Sequence, residues 1–263
     1  MGSATREALA ATRSALAALS GTTDLATGEQ LLAAGRVIGD SSPLRAALAD
    51  PSAETSDKTS IVNGVFTSVN DNVRGLLATI ASQRWSSDAD LLAGIEEIGF
   101  RIVADSAIVP GIESELFAFG EAVNSDNDLE LAVSSKLGSN SAKVALVERL
   151  LGGKASPQTI AIVGHLLQQP RGRRIAELLR HAASIVADQA GLSVATVSTA
   201  QRLTPAQIER LSAGLAQTYG RSLRINQIVD PTLLGGVRVQ IGDDIIDGSI
   251  ASRLKELRLQ LAG

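Results

Sequence analysis

The sequence predicts a mainly α-helical protein with a C-terminal α+β module: two related helical bundles followed by a small sheet with helices. Apolar residues recur at helical spacing through about the first 190 of the 263 residues, part of that pattern returns 85 positions later, and beyond Gly191 the period changes from 3.6 to 2. The composition agrees, being 44% hydrophobic and only 2% aromatic. A core of Leu, Ile, Val and Ala suits close-packed helices.

Each element has its own signal. Residues 4–19 place Leu9, Leu16 and Leu19 on one side of a first helix. Ser42 before Pro43 reads as the cap of a short helix that Asp50-Pro51 ends. Ser87, with Asp90 three residues later, opens a helix whose Leu91, Leu92, Ile95, Ile98 and Ile102 keep helical spacing. Further helices are predicted over 110–123, 128–134 and 140–151, and from Pro157 through Ile160, Val163 and Leu167.

The duplication organises this region. Leu31, Gly35, Ile38, Leu44, Lys58 and Ile61 correspond to Leu116, Gly120, Val123, Leu129, Lys143 and Leu146, and Ile102-Val-Ala-Asp returns as Ile185-Val-Ala-Asp. A period near 85 is too long for a solenoid unit and has the size of a small bundle. The expected domains are therefore a first bundle over 1–109, a second over 110–190 and an α+β module over 191–263.

In that module, residues 192–199 are rich in Val, Thr and Ser, while Leu223, Ile225 and Val229, then Val237, Val239 and Ile241, alternate with polar residues as half-buried strands do. Thr204-Pro-Ala-Gln207 is a capping box opening a helix that points Ile208, Leu211 and Leu215 inward. Asp230-Pro231 turns the chain, Gly242-Asp243 makes a hairpin into Ile245-Ile246, and Asp247-Gly248-Ser249 leads into a last helix with Ile250, Leu254, Leu257 and Leu261.

Reactive chemistry finds little footing. Zero cysteines and two histidines exclude disulfides, thiolate metal sites and three-histidine zinc sites. Gly152-Gly-Lys154 has Glu148 where a phosphate loop needs its first glycine and Ala155 where it needs Ser or Thr, so it reads as a turn. Asp243, Asp244 and Asp247 lack calcium-loop spacing and read as turn and cap residues. His165 lies on an apolar helix face and reads as a satisfied core or groove histidine; His181 reads as exposed. Arg171, Arg173 and Arg174, the one basic cluster, read as a solvated helix start or a contact for an acidic protein, with no aromatic platform for nucleic acid. Trp85 reads either as an anchor between helices or as an interface hot spot. No cofactor or metal is expected. Residues 191–263 hold eight basic against six acidic side chains in a chain of net charge −4, too weak a basic excess to argue for nucleic acid. No run is long enough for a membrane helix and the start lacks a signal peptide's apolar core, so direct membrane insertion is not expected.

One stretch is more specific. Leu234-Gly-Gly-Val-Arg-Val-Gln-Ile-Gly-Asp-Asp-Ile-Ile-Asp-Gly-Ser-Ile250, followed by Arg253-Leu254 and Leu257, closely resembles the C-terminal signature of the delta subunit of F-type ATP synthases, the family that includes the mitochondrial oligomycin-sensitivity-conferring protein. Its order of bundle, strand, capped helix, strands, hairpin and final helix fits residues 110–263, and the additional bundle resembles enlarged actinobacterial forms. The resemblance implies a noncatalytic stator component on the cytoplasmic face of the plasma membrane. Such a component links the alpha/beta catalytic head to the b subunits of the peripheral stalk, so that proton-driven rotation is coupled to ATP synthesis. It implies that the bundles hold alpha-subunit N-terminal segments, placed here in a groove near Leu9, Leu16, Leu76, Leu77 and Ile80. It also implies that the C-terminal module holds b, its signature carried by Gly235, Gly236, Gly242, Asp243, Asp247, Gly248, Arg253 and Leu254. Without the resemblance, a helical-bundle adaptor or regulatory scaffold unrelated to ATP synthase is the competing reading.

Overall fold

The computed structural model describes residues 2–19, 21–134, 139–220, 222–242 and 244–250. Asp243 and the predicted last helix with Arg253, Leu254, Leu257 and Leu261 lie outside the described residues. The chain divides into two compact units, residues 1–186 and 187–263.

The first unit is helical: α1 (Ser3–Ala17), α2 (Leu25–Asp40), α3 (Ser42–Ala49), α4 (Thr55–Val65), α5 (Asp71–Ser82), α6 (Asp88–Asp105), α7 (Ile112–Ser125), α8 (Asn127–Ser134), α9 (Asn140–Leu151), α10 (Pro157–Gln168) and α11 (Ile175–Gln189), whose last turn crosses the unit boundary. Short polar side chains start most of these helices by accepting otherwise orphaned amides: Asp24 from Thr27 at 2.8 Å, Asn70 from Val73 at 2.9 Å, Ser87 from Asp90 at 3.1 Å and Ser156 from Thr159 at 3.2 Å. The α3 cap is Ser41 rather than the predicted Ser42. Ser41 keeps an extended backbone and accepts from the Leu44 amide, while Ser42 is already helical.

Two apolar clusters fill this unit. The first gathers residues of α1 to α6, among them Leu9, Leu31, Leu48, Val62, Ile80 and Ile98. The second gathers α7 to α11 and takes in Phe100 and Val103 of α6 and Leu32 of α2. Helix α6 therefore serves both, and its buried residues run round the whole helix. It approaches α2 closely because glycines stand at the crossing. A Cβ on Gly28 would lie 2.6 Å from Val103 Cγ2, and one on Gly99 would lie 2.5 Å from Leu32 Cδ2. Trp85 is buried, donates from Nε1 to the Ile80 carbonyl at 2.8 Å, and lays its ring against Gly94. It is an anchor between helices, one of the two roles open to it from the sequence.

The second unit places β1 (Ser193–Thr199), α12 (Pro205–Tyr219), β2 (Leu223–Val229), β3 (Val237–Ile241) and β4 (Asp244–Asp247) in a four-stranded sheet of order β2-β1-β3-β4. Strand β1 pairs parallel with β2 and antiparallel with β3, which pairs antiparallel with β4. The capping box at Thr204 and Gln207 is present, and Gly220 ends α12 in a left-handed conformation. Ala195, Val197, Leu215, Leu223 and Val239 form the core between helix and sheet.

The seat of Trp85 against α6 is testable. Gly94→Ala would drive a methyl into the Trp85 ring and is expected to lower stability by about 1–3 kcal/mol, read as a fall in the urea midpoint. Gly75→Ala, in α5 with open space around its Cβ, is expected to raise stability by about 0.4–1 kcal/mol.

Candidate docking surfaces

The five apolar residues assigned to a groove come together in the structure, but they face inward. Leu9, Leu16, Leu76, Leu77 and Ile80 are 0–6% exposed and all belong to the first apolar cluster. The accessible surface beside them is made of other residues. Along α1, the partly exposed Ala4, Ala11 and Ala15 share one flank with the buried Ala8, while Arg13 on the other flank is hydrogen-bonded to Glu97 of α6 at 2.7 Å. Ser3, Ala4, Glu7 and Ala8 line an open groove of about 620 Å³, with Pro51 on one side and Gln83, Arg84, Trp85 and Ser86, beyond the end of α5, on another. The alanine spacing is readable in the sequence as a shallow helix face.

A polar cluster joins α2, α6 and α10. His165 is 3% exposed. Arg36 donates from Nη1 to His165 Nδ1 at 2.9 Å, so His165 is neutral, with its proton on Nε2, and it donates to Glu96 Oε1 at 2.9 Å. Arg171 pairs with the other Glu96 oxygen. The Phe100 ring meets His165 edge to face at 5.8 Å. Arg171, expected in a solvated helix start, instead reaches inward to a buried carboxylate, at φ 47° in the left-handed region that disfavours non-glycine residues. Burial pushes His165 below its usual pKa, against the pull of Glu96, and the Arg36 and Arg171 charges push it further down. Burial alone would raise the Glu96 carboxyl, but the His165 hydrogen bond and the Arg171 charge hold it below the usual carboxylate range. Next to it, Glu97 accepts from Arg13 and from Arg101. These are structural pairs, in which the buried Arg171 Nε alone lacks a hydrogen-bond partner among the cluster's atoms, and among the described residues no group of three or more His, Asp or Glu is placed to hold a metal ion.

In the second unit the signature residues tie the approach to β3 to the segment after β4. Gly235 and Gly236 take φ of 135° and 86°, conformations open to glycine. A Cβ on Gly236 would run into the Gly248 carbonyl and lie 2.8 Å from Ser249 Cα. The Gly248 amide donates to the Val237 carbonyl at 2.9 Å, the Ile250 amide to the Gly235 carbonyl at 3.1 Å, and the Ser249 amide to Asp247 Oδ1 at 2.9 Å. Hydrogen bonding from the Ser249 side chain, and then from its amide, holds the Asp247 carboxyl below its ordinary value. Gly242, at φ 58°, makes the two-residue turn that pairs Ile241 with Asp244. The signature is thus a fastening for the module. Its open surfaces lie elsewhere: a groove of about 710 Å³ between α12 and the β2 edge, lined by Ile208, Ala213, Ala216, Leu223 and Ile225 among others, and the β4 edge, where Ile245 and Ile246 are about half exposed.

Residues 100–261, which include this fastening, match the family model described as ATP synthase delta (OSCP) subunit. The chain belongs to this family. It is 57% identical, over all of both chains, to the ATP synthase subunit delta of Leifsonia xyli subsp. xyli, and 36% identical, again over all of both, to that of Streptomyces griseus subsp. griseus. A chain in the cryo-EM structure of the Toxoplasma gondii mitochondrial ATP synthase hexamer is 19% identical with a TM-score of 0.42, covering 62% of this chain and 93% of that one. Family membership makes the protein a delta subunit of an ATP synthase and displaces the unrelated-adaptor reading. Among the described residues no helix is long and apolar enough to cross a membrane.

Acid is expected to weaken the polar cluster from both sides. His165 titrates lower in the folded than in the unfolded chain, so the unfolded state takes the proton first and stability falls as pH drops through about 6.5; Glu96 adds a further loss at carboxylate pH. Urea midpoints measured between pH 8 and 5 should fall, and His165→Gln, which can accept from Arg36 and donate to Glu96, should flatten the part near 6.5. Gly236→Ala should destabilise the second unit by about 2 kcal/mol or more, seen as earlier loss of amide protection in β1 and β3 while α2 and α6 keep theirs.

Proposed function

We propose that this delta subunit is a noncatalytic stator link. Its helical bundles, residues 1–109 and 110–190, hold the head through alpha-subunit N-terminal segments, and its module, residues 191–263, holds the b subunits of the peripheral stalk. In this reading it sits peripherally on the cytoplasmic face of the plasma membrane, and its grip couples proton-driven rotation to ATP synthesis. The observation that carries the reading is the pair of open, helix-flanked grooves, one beside α1 and one between α12 and β2, in a chain whose buried Glu96, Glu97 and His165 are tied up in structural pairs. A link that transmits torque needs adhesive faces and a stiff body. An amphipathic helix laid in a groove supplies the first through apolar anchors at i, i+3 and i+4. The alanine floor beside α1 lets such a helix approach closely.

The assignment of grooves is testable in the full chain. Ala213 is exposed at the mouth of the α12/β2 groove, so Ala213→Glu should fold normally while weakening capture of the b C-terminal segment at least about tenfold, roughly 1.4 kcal/mol. Unchanged capture would remove that groove from the reading. Substituting the inward leucines cannot test alpha binding, because a charge at Leu77, 1% exposed, would unfold the bundle.

A further inference from the structure

The duplication extends to the docking groove itself. Arg13, Ala15, Leu16 and Leu19 of the first helical segment correspond to Arg101, Val103, Ala104 and Ala107, each 88 positions later. Both arginines hydrogen-bond Glu97, and the three apolar residues in each set pack in the first and second apolar cluster respectively. So α6, the closing helix of the first copy, is also the opening helix of the second, where it does what α1 does in the first.

This correspondence locates a second groove. Ala4, Glu7 and Ala8 map onto Leu92, Ile95 and Glu96 at the same 88-residue spacing, and Arg84 and Ser86 map onto Gln169 and Arg171 at the 85-residue spacing. In the first copy these positions line the open groove of about 620 Å³. In the second copy the matching five residues again stand together, but Leu32 and Gly35 of α2 lie among them and no water-sized space is left. Helix α2 follows the equivalent row closely: Gly28 meets Val103, Leu32 meets Gly99 and Gly35 meets Ile95. Its hold on α10 is polar, through Arg36 to His165 at 2.9 Å and through Gln169 Nε2 to the Arg36 carbonyl at 3.3 Å.

We propose a narrower form of the two-bundle reading: the second copy's docking groove is permanently occupied by α2 of the same chain, so that of the two equivalent grooves only the one beside α1 is open and takes a single alpha N-terminal helix. An incoming helix could enter the second groove only by displacing α2, whose other face supplies Leu31, Ala34 and Ile38 to the first apolar cluster. The way α2 sits also describes the partner that the open groove fits: a helix with an apolar side chain and small residues three to four positions apart along one face.

The inference rests on the alpha-docking reading, and one titration separates the two. Isothermal titration of the full chain with a synthetic peptide of the alpha N-terminal segment is expected to saturate at one equivalent. The Ala4→Glu/Ala11→Glu variant, changed at two partly exposed positions of the groove row, is expected to lose that equivalent by at least about tenfold. Saturation at two equivalents, or one equivalent surviving in the variant, would overturn the inference while leaving alpha docking standing. No binding by the unsubstituted chain would overturn alpha docking and the inference with it. Should circular dichroism show the variant unfolded, a photo-crosslinking version of the peptide decides on the unsubstituted chain: adducts confined to α1 and α5 support single occupancy, and adducts on α10 refute it.

Discussion

The close crossing of α2 and α6 is the constraint on which the helical unit depends. Two helices meet at glycines, Gly28 and Gly35 on one and Gly99 on the other, and their approach buries α6 on every side. A helix buried all round normally carries apolar residues throughout. This one carries Glu96, Glu97 and Arg101 in its interior, and burying three charges is tolerable only because each is paired. Glu96 is satisfied by His165 and Arg171 from the second copy, and Glu97 by Arg13 from the first. Neighbouring carboxylates on one helix thereby specify where both sets of helices sit.

That arrangement explains how the helices on both sides of α6 make one compact unit rather than two independent bundles. Each copy keeps its own apolar cluster, yet α6 supplies side chains to both, and Leu32 of α2 crosses into the second. The polar contacts among Arg36, His165 and Glu96 add direction that apolar packing lacks: a shifted α10 would leave a buried carboxylate without partners, which costs several kcal/mol. For a protein whose proposed task is to resist torque, a joint held this way suits the load better than a flexible linker.

The α+β module uses a different fastening. Its sheet is small and its β4 edge is exposed, so the approach to β3 and the segment after β4 are held by backbone hydrogen bonds around Gly235, Gly236 and Gly248. At these positions a side chain would either strain the backbone or collide with it. The glycine-rich signature thus records a backbone geometry.

Local rules determined much of the molecule from sequence alone. Helix periods, the caps at Ser87 and Thr204, Pro157 at a helix start, the change of period after Gly191 and the hairpin glycine all act over a few residues, and the structure reproduces them. The 85-residue correspondence is legible because breakers and apolar positions keep register along the sequence. What only the tertiary structure decided involves partners distant in the chain. Leu9, Leu76 and Ile80 could equally have lined a groove or filled a core, since periodicity marks an apolar face without saying what covers it. Arg171 read as a surface charge because its partner lies 75 residues away on α6. The filling of one groove by α2, and the openness of its counterpart beside α1, depends on which helix the folded chain lays across which, and no local pattern encodes that.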